Sequence, residues 1–319
     1  AIPDVSEPSP TDLLSRIGEF AWFNELPVSS TSQFAQWTVF ESAKDAGITV
    51  LLDGQGSDEL LGGYEQYFRN YLSALRAGGE ADAAHGEAEA IRRRYPLALA
   101  DDTEVLKSRI PAGIRRAIAG VMGLGSDVRF GLTAPPGGAT AAVDTGLSAL
   151  SINPLAESLI EDSFVATLPA LLRYGDRNSM AHSREVRLPF CDHRIAEFVL
   201  SLPPEFLMGD IQTKRLLRES IRGTVPDPVR ERWNKQGFRP PQDTWMSDPM
   251  YEAVRDVLHS TEFANRGWWR VGWWQSALKR LRKGESHLAA PLWMPYITEM
   301  WMQHFVDRIR SEPRAPIYR

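Results

Sequence analysis

Three stretches of this 319-residue chain concentrate side chains that could do chemistry. The first is Asp53-Gly54-Gln55-Gly56-Ser57-Asp58-Glu59, closed by Gly62-Gly63-Tyr64. Its small residues let the backbone approach a phosphate, and a carboxylate there can hold Mg²⁺, a hard cation that prefers oxygen ligands. The same residues also read as a plain helix start, with Ser57 or Asp58 as the cap and Glu59 complementing the helix dipole. The second stretch runs from Leu172 to Arg194. Its 23 residues hold five Arg, two His and three carboxylates between apolar positions. Charges at that density must pair if they are buried. They therefore form either one wall of a polar site or a structural ion-pair network. His182 and His193 lie eleven apart, a spacing without metal-site character, and both are read as non-ligands. The third is Asn234-Lys235-Gln236-Gly237-Phe238-Arg239-Pro240-Pro241. A fixed cation on such a Gly/Pro loop suits a departing pyrophosphate or a charged acyl-adenylate, though a bland surface loop has the same composition.

These side chains need elements to position them. Phe34–Ala46 has helical apolar spacing and ends at Gly47, a good residue for the left-handed position past a helix. Ile48-Thr49-Val50-Leu51-Leu52 then reads as a strand buried on both faces. It delivers the Asp53–Glu59 loop, and a helix is expected from Leu60 through about Arg76. Strand, small-residue loop and helix together form the local geometry of a nucleotide site at the C-terminal end of a parallel strand. Residues 1–11 read as a tether and 12–76 as the end of an α/β sheet. Residues 77–160 read as a helical insertion, with a Gly/Pro/Thr-rich mobile loop over 123–147 near the mouth of the site. Residues 161–319 read as a helical body with apolar periodicity over 160–173, 192–201, 213–222, 247–258, 270–283 and 288–309. Seven of the ten Trp follow residue 244, as expected for a packed terminal bundle. One confident strand cannot make a sheet, so partner strands are expected from sequence outside this chain.

Composition narrows the function classes. The chain is 43% hydrophobic and 24% charged, with net charge −5 and pI near 5.8. That balance speaks against a nucleic-acid or anionic-membrane surface. The run Arg92-Arg93-Arg94 reads as a solvated helix face. A single cysteine, Cys191, allows no intrachain disulfide, reads as a buried inert thiol, and fits a cytoplasmic protein. No apolar run is long enough to span a bilayer, and the N-terminus lacks the features of a signal peptide. The missing initiator Met points to processing, disorder or truncation before Ala1.

Taken in order, the three stretches resemble the synthetase domain of glutamine-dependent asparagine synthetases. That family has Leu-Ser-Gly-Glu-Gly-Ala-Asp-Glu before a Gly-Gly-Tyr; Leu52–Glu59 here reads Leu-Asp-Gly-Gln-Gly-Ser-Asp-Glu. The Asp176–Ala181 run, Glu185–Phe190, Thr213-Lys214, Leu217-Arg218 and Lys235–Phe238 complete the likeness, which extends over roughly residues 20–245. The resemblance implies a mostly α chain: the helical C-terminal part of an α/β nucleotide-hydrolase-like (PP-loop) synthetase domain, with only its last one or two parallel strands present. It implies ATP and Mg²⁺ as cofactors. ATP adenylates a carboxylate, first of all that of aspartate, and ammonia from glutamine displaces AMP to give asparagine. It places Asp53, Gly54, Gln55, Gly56 and Arg187 around the ATP and acyl-adenylate, and Asp58 on the metal. Lys235, Glu185 and Gln55 take the catalytic positions, with Asp176 and Arg177 at the structural ends of the far wall.

Two departures bear on this. Gln55 stands where the family has Glu, so it can neither accept a proton nor carry charge. Asp53 replaces Ser and adds a carboxylate. Neither a Ser-Gly-Gly-x-Asp-Ser ATP loop nor an N-terminal glutaminase with its Cys nucleophile is found in the sequence. The expectation is therefore the back part of a longer or split ligase, inactive on its own and compatible with a homodimer. The alternatives are a non-catalytic helical scaffold, or an amidotransferase or cyclase acting on a sugar or peptide.

Overall fold

The computed structural model describes residues 3–96, 98–99, 131–133, 153–234 and 240–311. Two helices open the chain. α1 (Pro10–Asn24) starts at a capping box in which Ser9 and Asp12 satisfy each other's backbone amides, with Pro10 at the first helical position. α2 (Ser32–Asp45) ends before Gly47, which takes φ +72° as the turn into the first strand demands.

β1 (Val50–Leu52) follows, then α3 (Ser57–Leu61) and α4 (Tyr67–Ala77). The helix expected to run unbroken from Leu60 to Arg76 is thus two helices. Gly62, at φ +68°, caps α3 in the left-handed region and turns the chain. α5 (Ala81–Arg94) carries its arginines in the last turn, where they complement the dipole. Further on, α6 (Pro154–Phe164) is capped by Asn153, whose side chain accepts from the amides of Leu155 and Ala156. α7 (Leu168–Ala181) leads into β2 (Glu185–Arg187), and Asp192 caps α8 (His193–Leu200). The remainder is helical, including α9 (Arg215–Ser220), α10 (Tyr251–His259), α11 (Val271–Arg282) and α12 (Ala289–Trp301), which runs on into a π-helical turn over Met302–Asp307.

Two apolar cores hold these elements. One joins α1 and α2 to the C-terminal helices through Phe20, Phe34, Trp37, Trp274, Trp293 and Tyr296. The other joins α4, α5, α6 and the segment after α8 through Tyr67, Phe68, Leu72, Ile91, Leu159 and Met208. α7 packs against α1 and α2 on one side and against α6 and β2 on the other, so it ties both cores to the sheet. Asn178 is the fastener: fully buried, it donates to the Gln33 carbonyl and to Gln36 Oε1, and accepts from Asn24. The tryptophans after residue 244 pack as expected, with Trp269 stacked on Phe263 and edge-on to the buried Trp274.

The sheet has two parallel strands, with Leu51 opposite Val186. Its strands number at the top of the expected one or two, but the expectation of burial on both faces is overturned. Val50 and Leu52 are 39% and 76% exposed. Their side chains share one face of the strand, and the backbone adds an open edge. The Glu185 amide donates to the Thr49 carbonyl and the Asp53 amide to that of Arg187, so β2 uses the backbone of alternate β1 residues. The groups of Val50 and Leu52 point to the opposite edge, where no described strand lies. The loop expected to be mobile over 123–147 falls outside the described residues except for Gly131–Thr133. Those three are fixed: the Trp274 indole and the Arg270 amide donate to the Gly131 carbonyl, and the Thr133 amide to that of Trp268.

Candidate active site

The Asp53–Glu59 loop leaves the C-terminal end of β1 and separates two depressions. Its shape comes from local bonds. The Ser57 amide donates to the Gly54 carbonyl, and Gly56 caps α3 at φ +88°, with so little space that a Cβ would lie 2.8 Å from Cys191 Sγ. The Cys191 thiol donates to the Gln55 carbonyl, and burial pushes its pKa up, as suits a packing residue. Gly54 faces open space.

The larger depression, about 310 Å³, is lined by Asp58, Gly63, Thr213, Lys214, Leu217 and Arg218, and farther out by Arg230, Arg232, Trp233 and Asn234. Among its described lining residues Asp58 is the sole carboxylate, facing four cations. Asp58 Oδ1 lies 3.0 Å from Lys214 Nζ, which also donates to Ser57 Oγ at 2.9 Å. Arg218 uses its guanidinium on the Thr213 and Arg230 carbonyls, and burial lowers its pKa. Arg230, only 7% exposed, is neutralised by Asp227 and Glu231. Behind the loop, buried Glu59 accepts from the Tyr64 hydroxyl.

The smaller cleft, about 190 Å³, lies along β2 and α7. Asp53, Gln55, Asp176 and Glu185 line it, between Phe40, Leu172 and Val186 among others. Burial raises the Asp53 pKa, partly offset by the Gly54 and Gln55 amides that donate to its carboxylate. Glu185 pairs with Arg187 at 2.8 Å, and both side chains are exposed.

The sequence-derived residues therefore divide. Asp53, Gln55 and Glu185 meet in the smaller cleft, whereas Asp58 belongs to the larger cavity. Gly54 and Gly56 shape the connecting loop. Arg187 meets the site through its carbonyl, bonded to the Asp53 amide, and through Glu185. Lys235 lies outside the described residues. The chain leading to it lines the larger cavity at Trp233 and Asn234, and Tyr95 and Arg94 pack on the Trp233 ring. Arg177 pairs with Glu25 at 2.7 Å, away from both depressions. His182 is buried edge-on to Trp37, and His193 is exposed beside Asp192. Sequence reasoning gave no site role to Lys214 or Arg218. Their signal was present as two cations four apart on one helical face, after Thr213.

Among the described residues no group of three or more His, Cys, Asp or Glu is arranged to hold a metal. Mg²⁺ does not require one. It takes one or two protein carboxylates and completes its shell with water and phosphate oxygens. Asp58, with cations around it to meet the remaining phosphate charge, fits that pattern.

The family model for asparagine synthase matches residues 6–303. The chain belongs to the asparagine synthase family. The glutamine-hydrolyzing asparagine synthetase 1 of Bacillus subtilis is 23% identical over 287 residues, covering 80% of this chain and 40% of the relative. Amidase chry2 of Gibberella zeae is 24% identical over 291 residues, covering 82% and 42%. A putative asparagine synthetase of Mycobacterium tuberculosis is 25% identical over 328 residues, covering 97% and 48%. This asparagine synthase-family chain thus spans less than half the length of these relatives. No solved structure matches it. No helix among its described residues is long and apolar enough to cross a membrane.

Proposed function

We propose that this chain supplies the C-terminal part of the active site of an ATP-dependent amide ligase. The reaction adenylates a carboxylate, with aspartate as the leading acceptor, and passes ammonia drawn from glutamine to the acyl-adenylate. One observation carries this reading: among the described lining residues a single carboxylate, Asp58, faces Lys214, Arg218 and Arg232 in a cavity at the C-terminal end of β1. That is the charge pattern for a metal-bound polyphosphate.

Each residue has a part in it. Asp58 holds Mg²⁺ together with phosphate oxygens. When bound, that ion offsets the charge on the phosphates and the leaving pyrophosphate. Lys214 and Arg218 bind phosphate oxygens, and to Lys235, outside the described residues, we assign the stabilisation of pyrophosphate or the intermediate. Gly54 and Gly56 let the loop backbone lie against the nucleotide. Across the loop, Gln55 orients the acyl group through its neutral amide. Glu185, one of the carboxylates lining the same cleft, takes the proton from the attacking amine.

In this reading the open edge of β1 is completed by further parallel strands of the PP-loop type, which bring the ATP loop and lead back to the glutaminase. Parallel sheets are covered on both faces and rarely stop at two strands. The chain alone is then expected to bind Mg-ATP weakly and not turn it over. A second acceptor reading rests on the small cleft, where Asp53 and Gln55, two of the three departures from the family motif, stand together. Two of the relatives are amidases by name. A sugar or peptide acceptor fits there as well.

Calorimetry with Mg-ATP on this chain and on Asp58→Asn tests the nucleotide reading. Binding weakened at least tenfold by the substitution supports it, and wild-type affinity in the variant defeats it. Robust pyrophosphate release from the isolated chain, with Mg-ATP, aspartate and ammonium, would defeat its dependence on further strands.

A further inference from the structure

Lys214 is held in an unusual way. It is the N-cap of α9 and has φ +53°, the left-handed region that disfavours a residue with a Cβ. Its amide faces the Gly62 carbonyl at 3.4 Å. Its stem crosses Gly63, where a Cβ would come within 2.4 Å of Lys214 Cε and 1.9 Å of Asp58 Oδ1. Backbone and stem are thus clamped over the loop. Only the ammonium is held by side chains, Asp58 and Ser57. The pair is partly solvated, with Lys214 21% and Asp58 26% exposed.

Asp58 is at the same time the sole carboxylate among the described residues lining the cavity. A divalent cation entering there therefore meets an oxygen already in contact with an ammonium. The two cations compete for one carboxylate. Of the other described lining charges, Arg230 is already neutralised, and Arg218 and Arg232 are positive, so they also oppose a bare metal ion while favouring one that arrives with phosphate.

We infer that Lys214 is a displaceable counter-ion for Asp58, neutralising that carboxylate until a metal–triphosphate arrives and then ceding it to the cation and pairing with the phosphate. Lys suits this role, because its ammonium is a compact charge that can change partners while its stem stays in place, with none of the fixed fork that makes Arg–carboxylate pairs persist. The site thus binds free metal only weakly, at high concentration, and prefers metal that brings its own anion. The inference rests on the nucleotide reading of the cavity, but its test needs no nucleotide.

The probe is Mn²⁺ alone, titrated into the chain and followed by electron paramagnetic resonance. Lys214→Met should bind Mn²⁺ at least tenfold more tightly than wild type, and Lys214→Arg should not. The gain should vanish in the double variant Lys214→Met/Asp58→Asn. A structural ion pair predicts the reverse, since its loss disorders Asp58. Equal or weaker Mn²⁺ binding by Lys214→Met overturns the inference, as does a gain that survives Asp58→Asn. A second measurement uses the unaltered chain: acetylation of Lys214 by acetic anhydride, read by mass spectrometry. Saturating Mn²⁺ should raise its rate at least threefold by freeing the amine, and an unchanged rate overturns the inference. If Mg-ATP fails to bind while both Mn²⁺ effects appear, the nucleotide reading falls and the exchange at Asp58 stands.

Discussion

The Tyr64 hydroxyl donates to Glu59 Oε1 at 2.5 Å across the Gly62-Gly63 turn, joining the helix that carries Asp58 to the approach to α4. Glu59 is 1% exposed. Burial, and then the Glu59 carboxylate itself, push the Tyr64 phenol far above its ordinary range, so it remains a donor throughout the working pH range. Tyr64→Phe removes a donor from a buried carboxylate and should cost roughly 1–3 kcal/mol. The check is the urea midpoint at constant m-value, and an unshifted midpoint would refute it.

Gly63→Ala acts on function more than on folding. Its Cβ cannot coexist with Asp58 Oδ1 at 1.9 Å, so the carboxylate and the Lys214 stem must both move. Overpacking of this kind costs about 1–3 kcal/mol. Mg-ATP affinity should drop at least tenfold in a chain that still unfolds cooperatively. Wild-type affinity would show that the placement of Asp58 is not critical.

Far from the site, Arg266 forks onto Glu299, which is fully buried, and onto Asp307 in the π-helical turn. Glu299→Ala leaves a guanidinium that is 14% exposed with one partner fewer. The loss should be about 3–5 kcal/mol, as for other broken buried pairs. Thermal unfolding measures it, and a melting temperature equal to wild type would show that Asp307 suffices.

Stability should fall on mild acidification. Burial lowers the pKa of His182 and of His304 below the ordinary 6.5, so the folded state holds both rings neutral. The unfolded chain binds the extra protons, and stability rises with pH wherever that holds. The contribution is present above pH 6.5 and is lost as pH falls through the folded pKa values. The depressed carboxylates Asp12 and Asp307 act at lower pH. Denaturation at pH 7.5 and 5.5 should show the difference, and His182→Gln should reduce it. An identical slope in the variant would exclude His182 as a source.

What could be read from the sequence was what is local. The helix before Gly47, the strand after it and the small-residue loop all follow from neighbouring residues. The break at Gly62-Gly63 was marked by the glycine pair itself, a turn signal, but the apolar spacing that continues through it suggested one helix. Glu185-Val186-Arg187 did not read as a strand: two of its three residues are charged, and pairing with β1 decides its conformation. Asn178 sat inside a charged run that suggested a site wall, yet its partners Asn24, Gln33 and Gln36 make it a core lock between helices. The Ser57–Lys214 bond closes 157 residues of chain, a relation no periodicity encodes.

The exposed edge of β1 bears on how the purified chain behaves in solution. From Gly47 to Leu52 there is no charge and no proline, and the outward groups of Val50 and Leu52 offer amides and carbonyls beside apolar side chains. Natural edges are guarded by lysine, proline or a bulge against this kind of exposure. Left bare, the segment is a template for any extended strand, including a copy of itself. Concentrated samples should turn cloudy before they unfold, and a Thr49→Lys variant should keep them clear.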